Sequence, residues 1–398
     1  MIHAYSLTDV SSSVSRVGNA ATDKLLGVVF VAVLTATLAS SAAAQANKVQ
    51  EPATTASFQG LGQMPGADRG AGTYANNISA DGSTIVGWAW VCPNGQPTCG
   101  DTDKTEAFGW TVKGKYRRLG GLGTRYGSMA NAASADGSVI VGDVATSPNG
   151  GAFRWTAAHG MVPLPTSMLF GDGVTPDGNM VVGGDHWWKI TGKVGKFGPF
   201  RGYQDLTQAS AVTGTMAAPI AVGSAAKGFN ADAFRWTPAT GMQDIGSFGG
   251  AVTAAIAISE DGSVIVGVSQ VQDGTFNLFH AFRWTAATGM QDLGTLGGVQ
   301  SAAYGVNHDG SVIVGYSDTT SSSGSADAFI WTATTGMQSL KAVLQAHGVH
   351  TADKWVLVTA AVGISADGTI IAGSGRSPRT KEFPFGVDTP FRVVLPVP

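Results

Sequence analysis

The pattern of apolar and polar positions repeats along the chain. Its clearest copy runs from Ile258 to Gly298, reading I-S-E-D-G-S-V-I-V-G, then H-A-F-R-W-T-A-A-T-G-M-Q-D-L-G-T-L-G-G. The triplet Val264-Ile265-Val266 has no polar face, which suits a strand buried on both sides. Ala281-Phe282-Arg283-Trp284-Thr285 alternates and is rich in strand formers. Met290-Gln291-Asp292-Leu293 alternates again and runs into glycine-rich turn chemistry. Asp261-Gly262 sits between the first apolar runs. Gly accepts positive φ without a Cβ clash and Asp tolerates it, so the dipeptide marks a hairpin. Together with the apolar residues before Asp261, the pattern predicts about four short strands per copy.

Each copy can be anchored on the Gly that ends its apolar strand: Gly87, Gly142, Gly183, Gly223, Gly267, Gly315 and Gly373, spaced 40 to 58 residues apart. Six residues before six of these anchors stand Asp81, Asp136, Asp177, Asp261, Asp309 and Asp367, each followed by Gly. The fourth copy has Ala217-Ala218 there and is degenerate. Several units of this length, four strands each, are the pattern of a propeller. The expected fold is therefore an all-β, seven-bladed β-propeller over 57–398, preceded by a linker at 47–56. The last copy stops at Phe391-Arg392-Val393-Val394-Leu395-Pro396 without its own G-M-Q-D-L-G segment. A matching segment, Phe58-Gln59-Gly60-Leu61-Gly62, comes first after the leader. It is expected to complete the last blade, because closure removes the exposed ends that an open stack would have to cap.

An aromatic signature recurs as Phe108/Trp110, Phe153/Trp155, Phe234/Trp236, Phe282/Trp284 and Phe329/Trp331. Copy three has Trp187-Trp188, and copy seven has Phe391-Arg392-Val393. One aromatic per unit resembles a sugar-binding ladder. Wedging between neighbouring blades explains it better, since each ring then buries ~150–250 Å².

Composition sharpens the class. Of 398 residues 13% are charged, the formal charge is -3, and Gly occurs 56 times. Low charge with abundant turn formers fits an extracellular all-β protein. Without a basic excess or a Lys/Arg run, nucleic-acid binding through phosphate contacts has no support. Lys24 precedes the apolar run Leu25–Leu34, and small residues follow to Ala44-Gln45-Ala46. That order predicts a signal peptide at 1–46, cleaved after Ala46; an uncleaved anchor is the alternative. The mature protein is expected to be secreted or periplasmic, monomeric and free of the membrane. Cys92 and Cys99 are the two cysteines, and in an exported protein so close a pair reads as a disulfide.

The connection from anchor Gly to signature Trp varies from 13 to 23 residues and so absorbs much of the length variation. Variable loops on constant strands are the usual carriers of binding. Trp88, Trp90, Trp187 and Trp188 leave the repeat pattern or flank these loops, and are the candidate ligand-binding residues. The loop of copy seven carries Arg376, Arg379 and Lys381. Leu340, Val343, Leu344 and His347 have helical spacing, with Gly348 as the stop, predicting a short helix that packs over one edge.

The segments D-G-S-x-I-V-G, A-F-R-W-T and G-M-Q-D-L-G-T-L-G-G resemble the extracellular HAF repeat family, whose name stands here as His280-Ala281-Phe282. The resemblance spans roughly 57–398 and is strongest from Ala231 to Trp331; copies three and four depart from it. It implies export and a repeat architecture, and it lends no site residues. The motif His occurs at 280 alone; Glu106, Gly151, Asp232 and Asp327 replace it elsewhere, so a shared catalytic or metal role is not expected.

There is no H-E-x-x-H, G-x-S-x-G or Walker loop. His186, His308, His347 and His350 lack ligand-like spacing. Asp101/Asp103 and Asp172/Asp177 are the pairs to weigh as calcium sites, but a turn role explains the Asp-Gly aspartates better. No metal, cofactor or catalytic residue is therefore assigned. The expected function is an exported, non-enzymatic module binding a protein or glycan. The alternative is a carbohydrate-active hydrolase or lyase with its site at the central mouth.

Overall fold

The computed structural model describes residues 55–396, apart from 69, 93–103, 124–126, 146–149, 202–205, 273–277 and 320–325. The expected signal peptide, most of the linker, Cys99, Asp101 and Asp103 lie outside the described residues. The described chain is all-β with one short α-helix and one turn of 3-10 helix at Thr351–Lys354. Among these residues no helix is long and apolar enough to cross a membrane.

Strand β1 (Ser57–Gly60) is followed by antiparallel four-stranded units in chain order, of which the fourth, fifth and sixth are joined into one twelve-stranded sheet by single parallel pairings, Ala231 with Val252 and Phe279 with Gln300. The first is β2 (Thr73–Ile78), β3 (Thr84–Val91), β4 (Lys104–Thr111) and β5 (Lys115–Gly120). The second is β6 (Ser128–Ala133), β7 (Val139–Val144), β8 (Gly151–Thr156) and β9 (Gly160–Pro163). The third is short: β10 (Gly173–Val174), β11 (Met180–Gly183), β12 (His186–Lys189) and β13 (Val194–Lys196). The fourth is β14 (Leu206–Gly214), β15 (Pro219–Lys227), β16 (Asn230–Thr237) and β17 (Gly241–Asp244). The fifth is β18 (Gly249–Ile258), β19 (Val264–Val271), β20 (Phe279–Thr285) and β21 (Gly289–Asp292). The sixth is β22 (Gly297–Val306), β23 (Val312–Thr319), β24 (Ala326–Thr332) and β25 (Gly336–Ser339). The last is β26 (Leu357–Ile364), β27 (Ile370–Arg376) and β28 (Asp388–Val394), and its fourth strand is β1, with Phe58 opposite Val393 and Gly60 opposite Phe391.

The Asp-Gly turns share one wiring. In the fifth unit Ser259 Oγ donates to Asp261 Oδ1 and accepts from the Val264 amide at 2.9 Å, and the Ser263 amide donates to Asp261 Oδ1 at 2.9 Å. Ser134/Asp136, Thr175/Asp177 and Ser365/Asp367 repeat it. Each aspartate thus closes its own turn. The turns also bond to one another. Asp81 N donates to Ala135 O at 2.9 Å, Ala135 N to Pro176 O at 3.0 Å, Asp261 N to His308 O at 3.2 Å and His308 N to Ala366 O at 3.0 Å. Ala366 N, in the last unit, donates to Ala80 O in the first at 2.7 Å.

The signature aromatics are wedges. Phe153 and Trp155 of the second unit pack with Val86 and Ala107 of the first. Phe329 and Trp331 of the sixth pack with Ala257, Val264 and Val266 of the fifth. Phe108 and Trp110 of the first pack with Ile370 and Ala372 of the last. The motif arginine adds a polar tie: Arg154 Nε reaches Gly178 O and Arg283 Nε reaches Gly310 O, each at 3.4 Å, in the turn of the following unit. Helix α1 (Leu340–Ala346) buries Leu340 and Leu344 against the cluster holding Phe58, Trp355 and Phe391, and Gly348 follows it at φ 75°.

Candidate functional site

The site begins with a register shift. In six units the first strand carries a bulge opposite the anchor Gly. Asn76, Asn131, Ser210, Ile256, Tyr304 and Val362 are the extra residues, between partners such as Ala130↔Gly142 and Ala132↔Val141. In the third unit Asp172 holds this position: its amide donates to Val182 O at 2.9 Å, while Gly173 also pairs with Val182. The bulge turns a carbonyl toward the anchor. A Cβ on Gly142 would stand 2.0 Å from Met129 O, and one on Gly315 2.0 Å from Ala302 O, so only Gly fits there.

The bulge row is polar in the first four units and otherwise apolar or aromatic. Its polar members join across units. Asn76 Nδ2 donates to Ala130 O at 2.9 Å and to Asn131 Oδ1 at 3.4 Å. Asn131 Nδ2 donates to Asp143 Oδ2 at 2.9 Å, and the Gly171 amide to Asp143 Oδ1 at 2.8 Å. Gln208 Nε2 donates to Asp172 Oδ2. The second Asp172 oxygen, Oδ1, and the Ser210 hydroxyl are buried without a hydrogen-bond partner. Asp172 and Ser210 are each 1% exposed. Among the described residues neither Asp143 nor Asp172 has a Lys or Arg ion-pair partner.

Such a pair resists ionisation. Burial pushes Asp143 up to about 6, against hydrogen bonds from the Gly171 amide and Asn131. Burial also pushes Asp172 well above the ordinary carboxylate range, and the Asp143 charge pushes it further.

An aromatic cluster occupies the equivalent place in the first unit. Trp88 follows anchor Gly87 as Asp143 follows Gly142, and both lie on the second strand of their units. Trp88 and Trp90 are partly exposed. Trp88 stacks on Tyr74 with centroids 4.7 Å apart and meets Trp90 edge-on at 5.7 Å. Tyr74 Oη donates to Asp388 Oδ2 at 3.2 Å, and Arg376 Nε donates to Asp388 Oδ1 at 3.1 Å, tying the first unit to the last. Burial, then the Asp388 carboxylate, pushes the Tyr74 phenol above its usual range.

The second tryptophan pair lies elsewhere. Gly183 pairs with His186, as other anchors pair with the signature Phe, so Trp188 takes the wedge position of the repeat. It packs against the cluster of Val139, Val141 and Val181 and lines a cleft of about 470 Å³ with Arg154, His159, Pro163 and Leu164. Trp187 packs toward Phe234 and Trp236 and has Lys189 and Lys193 over its ring at 5.3 and 5.8 Å. The structure thus separates the four tryptophans into distinct surroundings.

The remaining candidates resolve locally. His280 Nδ1 lies 2.8 Å from Asp292 Oδ2 on the neighbouring strand. Two of the four residues replacing it make similar cross-strand pairs, Arg118 with Glu106 and Ser339 Oγ with Asp327 Oδ2 at 3.1 Å, while Asp232 pairs with Arg201. Arg376 is taken by Asp388. Asp177 is a turn residue bonded to Thr175 and Asn179, apart from the Asp172 constellation. Cys92 is buried, its Sγ 4.0 Å from Asp68 Oδ2; its pairing with Cys99 stays a proposal. No group of three or more His, Cys, Asp or Glu among the described residues is arranged to hold a metal.

Sequence reasoning missed Asp143 and, apart from Asp172, which it weighed with Asp177, the bulge row. A signal was present: Asn76, Asn131, Asp172, Ile256, Tyr304 and Val362 each stand eleven residues before their anchor. Asp143 is the one acidic residue directly following an anchor.

Fold and site together define an all-β repeat protein with a polar seam along the first strands of its first four units. No family model matches the chain, and no curated protein matches it. Among solved structures it is similar to TolB from Acinetobacter baumannii, at 13% identity and TM-score 0.43, covering 64% of this chain and 62% of that one. It is similar to a putative TolB from Agrobacterium tumefaciens, at 10% identity and TM-score 0.40, covering 85% and 93%. It is also similar to an acylaminoacyl peptidase in complex with a chloromethyl ketone, at 8% identity and TM-score 0.45, covering 78% and 50%. The chain spans less than two thirds of the Acinetobacter protein's length. These values are too low to transfer a function.

Proposed function

We propose that this chain is an exported HAF-type seven-bladed propeller, latched shut by β1, that binds a protein or glycan through an aromatic mouth on its first blade. The bonds between turns, the packing of Phe108 on Ile370 and the β1–β28 pairing support a circular arrangement. Trp88 carries the binding reading. It is a large, partly exposed aromatic at a position where the other units place Asp143, Gly184, Ser224, Val268, Tyr316 and Ser374. No wedge role in the repeat accounts for it. Stacked on Tyr74 and braced by Trp90, it offers a rigid, amphipathic surface of the kind that anchors ligands at low entropic cost. Trp187 and Trp188 are secondary candidates. The test is a glycan and secreted-protein binding array on 47–398. Binding is expected to fall at least tenfold in Trp88→Ala and by less in Trp187→Ala; retention in Trp88→Ala refutes the assignment.

The second reading is a carbohydrate-active hydrolase or lyase. Asp143 and Asp172 favour it, because two adjacent carboxyls held toward the neutral form are the raw material of acid–base chemistry. The full burial of Asp172 weighs against it, since substrate must reach the acid. A glycan turnover screen comparing the wild-type chain with Asp143→Asn separates the two.

A further inference from the structure

We propose that Asp143 and Asp172, with the Ser210 hydroxyl, form a site for one divalent cation of the calcium class where the second, third and fourth units meet.

Burying carboxylates away from water is costly unless a positive partner or a proton neutralises them. Here a buried carboxyl, Asp172, lies beside a partly exposed one, Asp143, and the side-chain partners that the structure gives them are amides: Asn131 on Asp143 and Gln208 on Asp172. Those side-chain amides hold one oxygen of each carboxyl and so orient the group, while the Gly171 amide holds the other oxygen of Asp143 and the Gly184 amide adds to the hold on Asp172. They leave Asp172 Oδ1 buried and unpartnered. The independent observation is Ser210. It belongs to another strand, holds the same bulge position as Asp172, is 1% exposed, and its single side-chain polar atom has no partner. The strands that carry these two residues are in direct contact: a Cβ on Gly173 would lie 3.2 Å from Ala211 Cα. Two orphaned oxygens on adjacent strands, beside a second carboxylate, are oxygen donors awaiting a hard acceptor. Calcium takes roughly 6–8 oxygen ligands in flexible geometry, with water filling what the protein leaves open. A hydroxyl and carboxylates without sulfur or imidazole suit this class and not zinc. The site does not depend on the aromatic mouth, so it stands or falls separately from the ligand reading.

The test is calcium titration of chelator-treated protein by calorimetry, followed by thermal melting with and without the ion. One equivalent is expected to bind and to raise Tm. Asp172→Asn and Asp143→Asn should weaken binding at least tenfold, and Ser210→Ala several-fold. Asp177→Asn, which changes an exposed turn residue of the same unit, should bind as the parent does. In chelator, Asp172→Asn is expected to melt no lower than the parent, because a neutral amide replaces a buried carboxyl that has no cationic partner among the described residues. If Asp172→Asn does not fold, Ser210→Ala decides. Absence of uptake of calcium, magnesium and manganese by the folded chain overturns the proposal. Uptake unchanged in Asp172→Asn, or in Ser210→Ala where that variant decides, overturns it equally.

Discussion

Phe58 stacks on Phe391, ring centroids 5.3 Å apart, joining the first strand of the described chain to the last. Trp355 meets both rings edge-on, at 5.2 and 6.0 Å. The three aromatics form one buried cluster with Leu340 and Leu344 of α1. Phe58→Ala empties that cluster of a ring that the surrounding strands cannot collapse to fill. A loss of about 3–4 kcal/mol is expected, read as a lower urea midpoint with unchanged slope. A loss below ~1 kcal/mol would show that β1 contributes little to the last unit.

The bulge explains the anchor glycines, and the explanation can be checked at one of them. Gly315→Ala would force a methyl to 2.0 Å from the Ala302 carbonyl and 2.7 Å from the Phe329 ring. It should cost about 1–3 kcal/mol, the usual range for overpacking a buried site. Gly121→Ala is the control, since a methyl there would meet nothing within 4 Å and the backbone is not in the left-handed region. Equal melting of the two variants would contradict the bulge account.

The turn aspartates set the acid limit of the fold. In Asp136 and Asp261 burial works against ionisation, yet hydrogen bonds from serines hold the carboxyls below their usual value of 3.8. In Asp309 the Ser311 hydroxyl is the leading cause. A depressed folded-state value means that stability is present above the unfolded value and lost as pH falls through the folded one. Stability should therefore be flat near neutrality in this respect and fall below pH 3.8. In Asp261→Asn the acid-induced loss between about pH 5 and pH 2 should be smaller than in the parent, by chemical denaturation at each pH. An identical acid profile would assign the loss to other carboxylates.

Several features were legible because they are local. The Asp-Gly hairpins depend on residues within one turn, as Ser259, Asp261 and Ser263 show. The strands follow from alternation within a few residues, and the short helix from the spacing of Leu340 and Leu344. The wedge role of the Phe and Trp pairs was readable because a ring at a fixed place in every unit has to meet the same surroundings. The tryptophan candidates fared differently. Trp188 broke the sequence pattern yet stands at the wedge position, because the short hairpin of the third unit moved the motif upstream.

The sequence by itself determined the all-β class, the Asp-Gly turns, the repeat and the positions where only glycine was compatible with a turn. Tertiary structure decided the polar seam. Asp143 and Asp172 are near neighbours only because the register shift before each anchor and the contact between adjacent units bring them together, and the orphaned oxygens of Asp172 and Ser210 arise from the same meeting. Hairpins are written in bonds spanning a few residues. The environment of a buried carboxyl is written in which strand lies beside which, and packing between units sets that.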